Sequence, residues 1–294
     1  MDLKTEFTGS VQELVRQRFS CREYDKAPLA EEVCRELENY LTSVPAGPFN
    51  HASRFILAAA TPVDRASLRG LGTYGFIHNP PAFIIGACSD GPLSLEDYGY
   101  QLERIILYAT SLHLGTCWLG GTFSRSGFAR RIDATENEIL PAVISVGYIA
   151  DHVSVDWQTI QSVSTLRRRL SWDALFFEGN FSHPLSEMDA GVYALPLEMV
   201  HLAPSASNKQ PWRVLKQGDC WHFFLQRTAG YRRAPLSRLV GVEDIQRLDM
   251  GIAMCHFELT AREAGLNGVW QVQAPPVEKT GNLMEYTATW VSKP

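Results

Sequence analysis

A repeat governs how this chain can fold. Asp97-x-Gly99 recurs as Asp249-x-Gly251, 152 residues later, and the same offset carries Leu107 to Leu259, Ala109 to Ala261, Leu114 to Leu266 and Trp118 to Trp270 without a gap. A register kept over that span signals repeated structure, not a shared bias in composition. In both copies apolar residues fall on most faces of a helical pattern, which predicts two long buried helices, about Leu95 to Leu114 and about Glu243 to Ala264. Further upstream the offset becomes 159, placing Pro45 on Pro204, Arg54 on Arg213 and Phe55 on Val214. A loop of different length accounts for the change. The 294 residues are therefore expected to form two similar halves, 1–170 and 171–294, packed on each other as an internal pseudo-dimer.

Each half mixes helix and strand. Ser10-x-x-Glu13 is a capping box followed by apolar Val11, Leu14 and Val15, so a helix starts near Ser10. Val33, Leu37, Tyr40 and Leu41 predict a second helix that ends in the breaker-rich loop Ser43 to Pro48. Phe55 to Ala60, Ala82 to Ala87, Gly115 to Leu119 and Ala142 to Ile149 read as short buried strands, and Val269 to Val272 follows the second long helix as its counterpart strand. Glycines at 70, 72 and 75 lack the spacing of a phosphate loop and are assigned no chemistry.

Composition narrows the function class. A net charge of −5 argues against a nucleic-acid surface, although clustered arginines can still hold a small anion. The six cysteines show no CxxC or Cys/His spacing, so they read as thiols in a reducing, cytoplasmic compartment and not as a disulfide frame or a metal site. No basic leader and no apolar run of membrane-spanning length is expected.

Two stretches stand out because the copies differ there. Pro204-Ser-Ala-Ser-Asn-Lys-Gln-Pro-Trp212 encloses hydroxyl and amide side chains between two prolines, which predicts a rigid, extended loop. Ser205, Ser207, Asn208 and Gln210 could present polar groups to a flat ligand; an ordinary Ser/Asn/Pro turn reads equally well. Its first-half counterpart, Ala46 to His51, has lost most of those groups. Arg18-Phe-Ser20-Cys-Arg22 can converge on a phosphate, or simply form a solvated basic helix end. Arg167, Arg168 and Arg169 repel one another unless solvent or an anion relieves them. No arginine lies between Arg169 and Arg213, so the Arg-x-Ser-x-Arg element has no second copy. One half keeps the cationic piece, and the other keeps the polar loop.

Arg18-x-Ser20-x-Arg22-x-Tyr24 with Pro28 downstream, the Pro204 to Trp212 loop, and the long helix running into Leu114-Gly-Thr-Cys-Trp-Leu-Gly120-Gly121 resemble three signatures of the FMN-dependent nitroreductase family. The whole chain resembles its duplicated, single-chain branch, labelled TM nitroreductase. The resemblance implies an α+β nitroreductase-like fold with mixed or antiparallel sheets flanked by helices, and one FMN between the halves of a monomer. It implies that Arg18, Ser20 and Arg22 meet the flavin phosphate, ribityl or pyrimidine edge, and that Arg167 and Arg169 reach the phosphate. Pro204, Ser205, Ser207, Asn208 and Gln210 would contact the ring from the opposite half, with Gly120 and Gly121 beside it. The activity implied is transfer of electrons from NADH or NADPH to a small electron-poor acceptor of nitroaromatic, quinone or flavin type, with no catalytic triad and no metal. A passive flavin-binding or scavenging protein, or a scaffold without cofactor, are the alternatives.

Overall fold

The computed structural model describes residues 6–59, 77–120, 125–151, 153, 169–230, 244–277 and 281–293. The first half runs α1 (Val11–Gln17), α2 (Glu31–Ser43), β1 (Ser53–Ala59), β2 (Ala82–Ser89), α3 (Ser94–Ser111), β3 (Gly115–Leu119), α4 (Arg125–Arg131), β4 (Glu138–Ile139) and β5 (Val143–Gly147). The second runs β6 (Phe176–Glu178), β7 (Asn180–Pro184), α5 (Glu187–Ala190), α6 (Ala194–Leu202), β8 (Trp212–Gln217), β9 (Cys220–Gln226), α7 (Ile245–Glu263), β10 (Asn267–Gln271) and β11 (Met284–Lys293).

The sheets repeat one topology. The first has the order β1-β2-β5-β3, with β4 paired to β2, and the second contains β8-β9-β11-β10. Strand for strand these orders correspond. The second sheet adds a hairpin, β6-β7, of which β6 lies parallel to β8 while all other pairs are antiparallel. The hairpin, together with β9, β11 and α6, was not foreseen in the sequence.

α3 and α7 are the long helices expected from the repeat, each a few residues shorter than the periodicity suggested, and they cross at the centre of the molecule. The crossing is close because both sides offer glycine: a Cβ on Gly99 would collide with the backbone of Leu248, and one on Gly251 with the backbone of Glu96. Leu248 stands 152 residues after Glu96, so the two contacts are images of each other about a pseudo-twofold axis. Apolar cores form on both sides. Leu37, Phe55, Ile84, Tyr98, Leu102 and Ile105 pack under the first sheet. Trp212, Trp221, Phe223, Phe257 and Trp290 pack under the second.

α1 belongs to the first half in sequence but is held by the second. Ser10 and Glu13 close the expected capping box. The carboxylate of Glu263 at the end of α7 accepts from Val11 N at 2.6 Å and Gln12 N at 3.3 Å, and Arg16 pairs with Glu198 of α6 at 2.8 Å. A carboxylate at a helix N-terminus answers both unpaired N–H groups and the helix dipole. The end of α1, where the arginines begin, is thereby fixed at the junction between the halves.

Candidate functional site

Arg18 is the residue at which α1 stops. Its N–H closes on Leu14 O at 2.8 Å and its backbone turns extended (φ −60, ψ 132). The next residues run beside β3, with Cys21 N donating to Thr116 O at 2.8 Å and Ser20 bridging to Thr116. Arg18 is buried, Ser20 half-buried and Arg22 exposed. Burial pushes the Arg18 guanidinium below its ordinary range, partly opposed by the negative charge of Glu103. The Arg18 Nε has no hydrogen-bond partner and lies 3.6 Å from Glu103 Oε1. A small cleft of about 140 Å³ opens here, lined by Arg18, Gln17, His113, Gly115, Thr116 and Ile149. That is room for an oxyanion group, and far less than a tricyclic ring needs.

Arg169 is a second guanidinium withdrawn from solvent, near enough to Arg18 to feel its charge. Its terminal nitrogens donate to the carbonyls of Ala203 and Leu202, the latter at 2.8 Å, and its Nε is buried without a partner. Burial lowers its pKa to about 10, and the charge on Arg18 pushes in the same direction. Two like charges brought together with unanswered donors form an arrangement that an anion completes. Arg167 and Gly121 lie outside the described residues.

The Pro204 loop begins where Arg169 is anchored, and it is not the extended segment its two prolines suggested. Only Ser205 is extended (φ −149, ψ 157); Ala206–Asn208 form a single 3-10 turn. Ser207, Asn208 and Gln210 take left-handed backbone (φ 50, 55 and 48). The prolines fix their own φ but leave the five residues between Ser205 and Pro211 free to coil. Hydrogen bonds inside the loop then decide its shape. Ser205 Oγ accepts from Gln210 N at 2.8 Å, Gln210 Nε2 donates to Asn208 O at 3.0 Å, and Gln210 Oε1 accepts from Leu170 N at 2.9 Å. Gln210 and Ser205 are thus braces within the protein. Pro204 is half-buried, and Ser207 and Asn208 point their side chains into solvent-accessible space. Residues with left-handed backbone cluster at functional loops because they persist only where neighbours hold them.

Gly120 ends β3, and the space a side chain would fill there is taken by Ile245 at the start of α7. Its glycine is therefore explained by contact between the halves.

Three buried acids were given no role in the sequence: Asp97 and Asp249 only marked the repeat, and Glu103 went unremarked. Asp249 accepts Ala206 N at 2.9 Å and so holds the Pro204 loop, while its other oxygen is buried without a partner; burial raises its pKa to about 8. Asp97, 152 residues earlier, holds the first-half loop by Phe49 N at 2.9 Å and His51 N at 2.8 Å. Glu103, fully buried in α3, accepts from Trp118 Nε1 at 2.8 Å and sits against His256 of α7 at 2.9 Å. The available signal was a charged residue inside a helix that is otherwise apolar all round, since such residues are almost never fully buried unless paired.

The family profile described as "Putative TM nitroreductase" matches residues 10–261. Among solved structures, a putative nitroreductase from Thermotoga maritima is 21% identical, covers 98% of this chain and 95% of its own, and superposes with a TM-score of 0.60. A nitroreductase family protein from Clostridium difficile 630 is 19% identical over 49% of this chain and 86% of its own, with a TM-score of 0.40. A nitroreductase with bound FMN from Desulfitobacterium hafniense DCB-2 is 20% identical over 48% of this chain and 89% of its own, with a TM-score of 0.39. No curated protein matches the sequence at a significant level.

Proposed function

The chain belongs to the TM nitroreductase family, and on that premise we propose that it is an FMN-dependent NAD(P)H oxidoreductase with one cofactor site between its two halves. The observation that carries this reading is a pair of guanidiniums depressed by burial and near enough for one charge to act on the other, Arg18 and Arg169, each with an orphaned Nε, with Arg169 anchored at the root of the Pro204 loop. Orphaned buried donors of that charge fit the phosphate of a mononucleotide.

In this reading FMN supplies the redox chemistry, accepting a hydride from NADH or NADPH and passing electrons to a nitroaromatic, quinone or flavin acceptor. The protein's own residues bind and orient. Arg18 and Arg169 hold the phosphate, with Ser20 and Arg22 on the same side and Arg167 as a further candidate. Ser207 and Asn208 meet the ring system from the second half, supported by Pro204 and by the braces Ser205 and Gln210. Gly120 and Gly121 carry the backbone between β3 and the site.

The matching strand orders support the proposal that the halves, 1–170 and 171–294, are a duplicated unit and that the pseudo-dimer is a monomer. The one-sided distribution of the arginine element and the polar loop supports a single site. A cytoplasmic location belongs to the same proposal, in keeping with six cysteines that are all free thiols.

The test is flavin content. Purified protein should be yellow, carry about one FMN per chain, and bleach with NADH or NADPH under anaerobic conditions. Arg18→Ala and Asn208→Ala should each weaken FMN binding, the first by ~30-fold or more for loss of charged hydrogen bonds. Unchanged binding in both variants overturns the cross-half site. A yellow protein that does not bleach is a passive binder, and a colourless one that shows no thermal shift with FMN is a scaffold.

A further inference from the structure

The α3–α7 crossing buries polar chemistry that an apolar contact does not need. Glu103 and His256 are both completely shielded from solvent. Glu103 Oε2 accepts from Trp118 Nε1 at 2.8 Å, and Oε1 faces His256 Nε2 at 2.9 Å. His256 Nδ1 faces the carbonyl of Met199 at 2.9 Å. The Glu103 carboxylate is an acceptor, so the Nε2 of His256 is assigned as its donor.

Arg18 approaches that same Oε1, but its Nε stops at 3.6 Å, beyond hydrogen-bond distance, and has no other partner. One carboxylate oxygen thus has two nitrogen neighbours, and the histidine holds it. The other charges packed nearby are engaged elsewhere: Arg104 with Glu6, and Glu258 with Arg262, Tyr100 and Trp270. Glu103 is the carboxylate whose allegiance sets how much of Arg18 is available.

We propose that His256 and Glu103 are positioning residues for Arg18: His256 keeps Glu103 from closing on the arginine, and the guanidinium stays open to an oxyanion. Closing the pair would spend the Arg18 donors on an internal ion pair, and a competing anion would have to break it. Left as it is, Arg18 and Arg169 against the single carboxylate of Glu103 carry a surplus of positive charge that a phosphate monoester, doubly charged near neutral pH, relieves. This inference deepens the reading of the site as a mononucleotide phosphate site and rests on it.

The test compares full-length wild type with His256→Leu, Glu103→Gln and the double variant, measuring affinity for FMN and, separately, for inorganic phosphate. His256→Leu should weaken both about tenfold, the effect of one charged hydrogen bond redirected. Glu103→Gln should tighten both, and the double variant should follow Glu103→Gln, because the histidine matters only while the glutamate is charged. If both single variants weaken binding and their effects add, the residues are merely structural and the inference fails. The ring nitrogens of His256 in the wild type give an independent reading by nitrogen-15 NMR: a protonated Nε2 is expected, and a tautomer with its only proton on Nδ1 overturns the proposal even if a variant fails to fold. Wild-type protein that binds phosphate but not FMN would sink the flavin reading, and the phosphate affinities would still decide the inference. FMN binding that is unchanged in His256→Leu does the opposite.

Discussion

The loops that begin at Pro45 and Pro204 hang from equivalent anchors and end in different states. Asp97 gives both carboxylate oxygens to its loop, to Phe49 N and His51 N, and Gly47 packs so tightly on it that a Cβ would lie 2.5 Å from Oδ1. Asp249 gives one oxygen, to Ala206 N, and keeps the other buried and unanswered. The first loop has one non-glycine residue in left-handed backbone, Asn50; the second has three. Equivalent anchors are thus closed off in one half and left under strain in the other. Strain and unsatisfied groups accumulate where structure is held for a ligand and not for stability. These energetics support the proposal that the Pro204 side is the working side, independent of any motif.

The hardest way to break the comparison is at the axis that makes the loops equivalent. Gly99→Ala and Gly251→Ala each push a methyl into the backbone of the opposite helix, where no side chain can swing away. Each should cost about 3 kcal/mol or more, at the upper end of overpacking effects, read as a drop in urea midpoint at unchanged slope. Because the two contacts are images of each other, the costs should agree closely. A tolerated alanine at one position would show that the axis is not a packing constraint in that half.

The anchors themselves give the next largest effect. Asp97→Ala strands the N–H groups of Phe49 and His51 and should destabilise by about 2 kcal/mol. Asp249→Asn should do the reverse. The native carboxyl titrates near 8, against an ordinary 3.8, because burial disfavours its charge. The folded state therefore binds a proton the unfolded state has released. Stability from this group is full below about pH 4, is lost as pH rises towards about 8, and is level beyond. The amide keeps the acceptor for Ala206 and never ionises. Asp249→Asn should be more stable than wild type by on the order of 2 kcal/mol at pH 8, and the falling limb should flatten. An Asp249→Asn protein whose stability still falls over that interval would place the titrating group elsewhere.

The repeat, the capping box and the greasy helices were legible because they are periodic or local: a constant offset of 152 residues, one Ser-x-x-Glu, apolar residues on most faces. β9 and β11 were harder to see, since each buries a continuous run of residues and does not alternate. The Arg18 and Arg169 pairing could be suspected from charge alone, but the competition for Glu103 could not, because it depends on which oxygen each donor reaches. Asp97 and Asp249 were read correctly as equivalents and their work was missed. Asp97, in the first turn of its helix, looks like a solution to the dipole, and only the fold shows that both aspartates face a loop. The extended shape expected of the Pro204 loop failed for a related reason: two prolines restrict the ends, whereas Ser205 and Gln210 hydrogen bonds set the middle.

The finest difference between the loops is the identity of the strained residues. Asn50 sits at φ 62 and Ser207 at φ 50 with ψ 27. Asparagine visits that region routinely, whereas serine pays close to the usual left-handed penalty, of order 1–2 kcal/mol. Glycine removes the penalty but also frees the unfolded chain, which returns part of the gain. Ser207→Gly should therefore stabilise the unliganded protein by about 0.5–1 kcal/mol, while Asn50→Gly should be close to neutral by the same thermal melt. If the strain in the second loop is the cost of holding Ser207 and Asn208 ready for a ligand, the same Ser207→Gly change should weaken FMN binding several-fold, through lost pre-organisation and one lost hydroxyl. Stability and affinity would then move in opposite directions at Ser207 and in neither direction at Asn50. A Ser207→Gly protein that gains stability and keeps its affinity would mean that the loop's shape is an accident of its internal hydrogen bonds and not a provision for what binds beside it.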